Sequence, residues 1–248
     1  MFTGIVETVG VVSAKDVMDT SETGGSGYSI TVSDASVVLT DVHIGDSIAI
    51  NGVCMTVTEF DSERTSFKVG VAPETLRKTN LGEFEVGHKV NLERSMSATT
   101  RYGGHVVQGH VDTTVTITRI TPDPPNSITY RFHVPACTPS AGESSHLPST
   151  DFLQYIVPKG YVCLDGTSLT VIDVDWSTRE FSVMLIAHTL KSVVMPTKSI
   201  GDRVNIEVDQ VGKYVENMVR GMLMSENNTV LAPMIERAVE KYLSKSHQ

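Results

Sequence analysis

Basic residues are in short supply. Lys and Arg number 20 against 29 Asp and Glu, a formal net charge of −9 over 248 residues. Affinity for nucleic acid comes chiefly from Lys and Arg on phosphates, so this balance argues against a nucleic-acid partner. It leaves room only for local basic pockets that could take a small anion. Cysteine is sparse and odd in number, at Cys54, Cys137 and Cys163. That count excludes a disulfide framework and points to free thiols in a reducing compartment. No Cys/His cluster has zinc-ligand spacing, so no metal is expected. No run of apolar residues is long enough to span a bilayer as a helix. The opening MFTGIVETVG has no basic region followed by an apolar block, so a cytoplasmic protein without a membrane partner is expected. No G-x-G-x-x-G follows a strand-like run, so no dinucleotide cofactor is expected either. What remains is an ordinary globular composition, 40% hydrophobic and 20% charged, in a chain long enough for one large domain or two of common size.

What the chain does have is a repeat. Residues 51–57 read NGVCMTV and residues 165–171 read DGTSLTV. At this constant offset of 114, Gly52 matches Gly166, Thr56 matches Thr170 and Val57 matches Val171. The register continues through Phe67/Phe181, Val69/Val183 and Thr75-Leu76/Thr189-Leu190 to EVGHKVNLE (85–93) over SIGDRVNIE (199–207). The segment TGIVET (3–8) lies over QGHVDT (108–113) at the shorter offset of 105. An insertion in the second half accounts for the difference, and the Pro-, Ser- and Gly-rich ACTPSAGESSHLPST (136–150) is its natural place. A period this long is not a solenoid repeat. It divides the chain into domains at 1–102 and 103–210 with a tail at 211–248.

Each half alternates apolar and polar residues, as in SIAINGVCMTVTEF and EFSVMLIAH, with frequent Gly, Asp and Asn between runs. That pattern predicts a mainly β fold of two similar small antiparallel barrels, the 3–8 and 108–113 segments being the first strand of each. PETLRKTNLG and HTLKSVVM each predict a short helical stretch. The tail is helical by periodicity. Val211, Tyr214, Val215, Met218, Val219, Met222 and Leu223 share one face, and TVLAPMIERAVEKYLSK repeats the pattern. Such a face either caps a barrel or packs on further copies of the chain.

Six motifs in order, MFTGIVE, NGVCMTV, ETLRKTNLG, GGHVVQGHVD, DGTSLTV and VNIEVD, resemble riboflavin synthase of the single-chain type with two lumazine-binding barrels. The resemblance covers about residues 1–215. It implies two Greek-key barrels, a homotrimer with active sites between subunits, and no metal or organic cofactor. The implied reaction moves a four-carbon unit between two molecules of 6,7-dimethyl-8-ribityllumazine. The products are riboflavin and 5-amino-6-ribitylamino-2,4(1H,3H)-pyrimidinedione. A non-catalytic lumazine- or flavin-binding protein of the same fold is the alternative. A flavin reductase-like barrel is disfavoured by the missing dinucleotide fingerprint.

A reaction between two identical molecules suits two similar pockets. One molecule gives carbon and the other takes it, so positions where the repeats disagree carry the most information. Ile5 in one half stands over His110 in the other, and His is suited to proton transfer near neutral pH. Gly109 before it permits close backbone approach. Cys54 stands over Ser168; either could touch the ring, hold a water or act as a nucleophile. The common fate of a lone Cys is a small buried hydrophobe, and no basic residue adjoins Cys54 in sequence. Thr170 and Ser168 alternate onto one strand face, as do Thr56 and Cys54. Lys159, by the resemblance, contacts ligand or stabilises a carbanion. Asp209 stands over Ser95 and is a candidate proton partner, or an Asp before the tail helix. By the resemblance the substrate-binding set is Thr3, Gly4, Ile5, Val6, Cys54, Met55, Thr56, Gly70, Val71, Ala72, Pro73, Glu74 and Thr75 in the first half. In the second half it is Gly109, His110, Val111, Lys159, Ser168, Leu169, Thr170, Ile186, Ala187, His188, Thr189, Leu190 and Lys191. His188 replaces the Glu74 of the first half. Gly103-Gly104 reads as a hinge between barrels, with Arg101 and His105 as linker or interface residues.

Overall fold

The computed structural model describes residues 1–16, 28–136, 151–224 and Arg237. Most of the expected insertion at 136–150, and the tail's second amphipathic segment, lie outside the described residues. Within them the chain forms two closed six-stranded antiparallel barrels, so the expected mainly β fold is observed. The first holds β1 (Thr8–Asp16), β2 (Tyr28–Ser33), β3 (Ser47–Ile50), β4 (Val53–Phe60), β5 (Phe67–Val71) and β6 (Lys89–Arg94). The second holds β7 (Thr113–Asp123), β8 (Ser127–His133), β9 (Tyr161–Leu164), β10 (Thr167–Asp175), β11 (Glu180–Leu185) and β12 (Arg203–Val208). Around the first barrel the order is β1-β2-β5-β4-β3-β6, and the second repeats it strand for strand.

The two barrels close by the same devices. Alternation along each strand points Val12, Ile30, Ile48, Val57, Phe67, Val69 and Leu92 into the first core. It points Ile117, Phe132, Leu164, Val171, Phe181, Val183 and Ile206 into the second. A barrel this small must bend its strands sharply, and each strand that bends carries a bulge. Register slips at Val12/Ala14 and Val57/Glu59 in the first barrel, and at Ile117/Arg119 and Val171/Asp173 in the second. These are equivalent positions in the repeat.

The two predicted short helices are α1 (Pro73–Lys78) and α2 (Ala187–Ser192). Pro73 suits the first turn of α1, where its missing N–H is not needed. The tail helix α3 (Gln210–Met224) belongs to a compact unit of its own, Gln210–Gln248, apart from Met1–Asp209. Val211, Tyr214, Val215, Met218, Val219 and Met222 are all exposed on it.

One expectation is corrected. Residues 3–7 and 108–112 are not the first strand of either barrel; β1 starts at Thr8 and β7 at Thr113. Gly4 and Gly109 have φ of +77° and +80°, which breaks strand geometry in both segments. Their N–H groups are also held by carboxylates instead of a neighbouring strand, as described next.

Candidate functional site between the two barrels

The first barrel's outer face is built by simple alternation. Met55 and Val57 point inward on β4, so Cys54 and Thr56 point out. Across the ladder Cys54 pairs with Ala49 and Thr56 with Ser47, and Ala49 pairs in turn with Glu93 on β6. The second barrel repeats the pattern. Ser168 pairs with Cys163 and Thr170 with Tyr161, and Cys163 pairs with Glu207 on β12.

Glu93 and Glu207 were legible only as matched letters of the repeat, yet they organise both half-sites. Glu93 accepts from the Thr3 N–H (2.8 Å), the Thr3 hydroxyl (2.9 Å) and the Gly4 N–H (3.1 Å). Glu207 accepts from the N–H groups of Gln108 (2.7 Å), Gly109 (2.9 Å) and His110 (2.9 Å). Burial pushes the Glu93 carboxyl up to about 6, against the pull of the donors on Thr3 and Gly4. The signal available in sequence was a Glu at an outward strand position in both repeats, which is ordinary at a surface. Only the fold shows that both are buried.

The held segments then cross over. The Ser168 N–H donates to the Gly4 carbonyl (2.7 Å), and the Cys54 N–H donates to the Gly109 carbonyl (2.8 Å). Val6 packs on the second barrel's core and Val111 on the first. Each half thus lends its G-x-V segment to the other barrel's C/S-x-T strand. In the structure it is the Gly109-His110 backbone that lies against Cys54, and Gly4-Ile5 that leads away from Ser168.

On the local two-fold axis Gly52 and Gly166 face each other. A Cβ on Gly52 would come within 2.6 Å of the Gly166 nitrogen, and one on Gly166 within 2.7 Å of the Gly52 nitrogen. Both have φ near +80°, so glycine is required twice over. Beside them Asn91 Nδ2 donates to the Asp165 carbonyl (2.8 Å) and Asn205 Nδ2 to the Asn51 carbonyl (3.0 Å). The symmetry breaks at Asp165, which stands where Asn51 stands. Its Oδ2 lies 3.2 Å from Lys198 Nζ, and Lys198 takes the place of Phe84.

Cys54 and Ser168 have different neighbours. Cys54 packs against Phe2, Ala49, Val107 and Cys163, an apolar cluster on the axis. Ser168 Oγ lies 2.7 Å from His105 Nδ1. His105 is buried, its N–H donates to the Thr3 carbonyl (3.1 Å), and its ring stacks on Tyr161 at 5.1 Å and 8°. Burial lowers its pKa, opposed by the charge of Asp209. Gly104 packs tightly beside His105. A Cβ on Gly104 would meet the Thr3 carbonyl at 2.0 Å and Ser168 Cβ at 2.9 Å, so close approach is what that glycine provides.

Other predicted residues fall as follows. Thr3, Met55 and Leu169 are buried, while Ile5, Thr56, His110 and Thr170 are exposed. Lys159 is exposed at φ +67°, its N–H donating to the Val171 carbonyl, so it sits on the turn entering β9. Gly70 and Val71 end β5, and Ala72, Pro73, Glu74 and Thr75 turn into α1, with Glu74 paired to Arg77 at 2.7 Å. Ile186 precedes α2, where Ala187, His188, Thr189, Leu190 and Lys191 lie; Ile186, His188 and Lys191 are exposed. Asp209 follows β12; burial raises the Tyr102 phenol, and the charge of Asp209 adds to that rise. Next to the first half-site, Thr3, Ile5, Glu93, Arg94, Ser95 and Arg101 line part of a cleft of about 470 Å³.

A duplicated small barrel, presenting the same outward Cys/Ser-x-Thr strand twice across a local two-fold axis, defines a protein with paired binding sites for one ligand type. The lumazine binding domain family matches residues 3–95 and 108–209. The riboflavin synthase of Meyerozyma guilliermondii is 47% identical over 244 residues, 97% of this chain and 96% of that protein. That of Saccharomyces cerevisiae is 46% identical over 256 residues, covering 99% of this chain and 100% of that one. The chain belongs to the riboflavin synthase family, with its lumazine-binding domain present twice. Among solved structures, LumP complexed with riboflavin has the same fold at a TM-score of 0.69 and 18% identity, over 84% of this chain and 100% of that chain.

Proposed function

We propose that this chain is a riboflavin synthase, a transferase that dismutates two 6,7-dimethyl-8-ribityllumazines into riboflavin and the pyrimidinedione by moving a four-carbon unit. The observation that carries it is near-full-length identity of 46–47% to riboflavin synthases, on a duplicated lumazine-binding frame. The electron-poor lumazine ring makes its 7-methyl group acidic, so the reaction starts with a base near that methyl. His110 is the candidate base, with Asp209 or Lys159 as partners. Ser168 and Thr170 in one half, and Cys54 and Thr56 in the other, meet the rings. Ligand edges are held by the 70–75 and 186–191 segments, and the ribityl hydroxyls find partners among Thr3, Thr56, Thr75, Thr170 and Thr189. Residues 1–102 and 103–210 are the two lumazine-binding domains. The exposed apolar face of α3 suits a homotrimer whose active sites lie between subunits, in the cytoplasm.

The test is to incubate the purified chain with 6,7-dimethyl-8-ribityllumazine and a chelator and follow riboflavin by absorbance. Riboflavin formation is expected. One-to-one binding without product overturns the enzymatic reading and leaves a lumazine-binding protein. Sedimentation tests the assembly: a stable, active monomer excludes an inter-subunit site.

A further inference from the structure

Tyr161 is 47% exposed, so the barrel core does not explain it. It is the first residue of β9 and the ladder partner of Thr170. The equivalent residue of the first half, at the shared offset, is Ser47, the ladder partner of Thr56. So one outward row reads Thr-Ser and the other Thr-Tyr. The ring has a specific neighbour: His105 stacks on it nearly parallel, at 8°. The same imidazole shares a 2.7 Å hydrogen bond between its Nδ1 and Ser168 Oγ. In the first half Ser47 offers no ring, and Cys54, which stands where Ser168 stands, lies in the apolar cluster of Phe2, Ala49, Val107 and Cys163. Tyr161, His105 and Ser168 therefore form a chain of contacts that exists in one half-site only. An imidazole with one hydrogen bond can rotate about that bond; a parallel ring beneath it removes the freedom.

We propose that Tyr161 is a positioning residue of the second half-site: its ring fixes the His105 imidazole so that Nδ1 stays on the Ser168 hydroxyl, and so orients the side chain that meets the lumazine. This rests on the riboflavin synthase reading for its kinetic part only. The charged and titratable groups acting on His105 from the elements around it are Asp209, at the end of β12, and Tyr161 itself.

The test compares Tyr161→Ser, which copies the first half, with Tyr161→Phe, which keeps the ring. Steady-state kinetics with 6,7-dimethyl-8-ribityllumazine are combined with ¹⁵N NMR of the His105 ring. Y161S loses about tenfold in kcat with KM little changed, and its His105 nitrogens move to averaged tautomer shifts. Y161F recovers the rate and the wild-type spectrum. A Y161S protein with wild-type kcat and an unchanged His105 spectrum overturns the proposal. So does a rise in KM alone, which would make the ring a binding surface. If the wild-type chain forms no riboflavin, the activity reading fails by itself. The His105 spectrum of Y161S then decides the positioning: averaged shifts support it, unchanged shifts overturn it.

Discussion

The two halves of this chain share a frame and differ in what fills it. Both barrels have the same strand order, the same pair of bulges, a Glu that grips a G-x-V segment, and a Gly on the axis. Where they differ, the difference is chemical and local. Cys54 lies in an apolar cluster with Phe2 and Val107, where a thiol serves as a small hydrophobe. Ser168 lies against a buried imidazole, where a hydroxyl has a partner and a thiol would be a poorer one. The change from NGVCMTV to DGTSLTV therefore follows the neighbours each strand acquires from the opposite half. A duplicated frame presents the same outward strand twice; in the proposed reaction, point differences on it would let one ring give and the other receive.

The largest test of this asymmetry is at the crossing segments. His110→Ala should lower kcat/KM by about 10²–10⁴-fold, the usual contribution of a positioned base. Ile5→Ala, at the equivalent place, should cost less than about tenfold. Equal losses, measured by riboflavin formation, would erase the division of roles between the halves.

Next comes the axis, where the halves are most alike. Gly52→Ala should destabilise by more than about 3 kcal/mol in chemical denaturation, combining a left-handed backbone with contact on the Gly166 nitrogen. Gly45→Ala is the control. Its φ is also positive, at +95°, but nothing lies within 4 Å of a Cβ there. Only the backbone strain, about 1 kcal/mol, should appear.

The third concerns the buried Asp165–Lys198 pair beside the axis. Asp165→Asn copies Asn51 but leaves Lys198 without its carboxylate, and should cost roughly 3 kcal/mol. Adding Lys198→Phe completes the copy of the first half and should recover most of that loss. A double variant no more stable than the single one would mean the two interfaces are not interchangeable.

The smallest effect is a pH dependence. Folded Glu93 keeps its proton up to about 6, while its ordinary value is 4.5. The folded state thus binds the proton more tightly. Its stabilising contribution is complete below about pH 4.5 and is lost as pH rises through 6. Glu93→Gln lacks this dependence. Relative to E93Q, the wild type should lose about 1.5 kcal/mol of stability between pH 4.5 and pH 6.5, read from paired denaturation curves. A constant difference would show that Glu93 titrates normally.

The fold was largely legible because β structure writes itself with period two, and because a duplication lets each half check the other. Phe67 against Phe181 and Val69 against Val183 mark the same inward strand in both barrels. The site was less legible. The G-x-V segments read as strands because Ile5-Val6 and His110-Val111 have strand-like residues. Gly4 and Gly109 take a backbone no strand allows, and nothing in their letters requires it. Glu93 and Glu207 looked like surface carboxylates, since alternation places them outward, but outward on these strands means facing the other half.

By itself, then, the sequence determined the two barrels, their equivalence and the positions where they part: Ile5/His110, Cys54/Ser168 and Ser95/Asp209. Local periodicity and register settle all of these, and both are properties of neighbours along the chain. The tertiary structure alone decided which half's segment meets which half's strand, and that His105 stacks on Tyr161 and reaches Ser168. Those contacts join residues more than fifty positions apart through the packing of two closed barrels. Such packing depends on shape complementarity across the axis, where two glycines let the backbones touch, and no periodicity within either half encodes that.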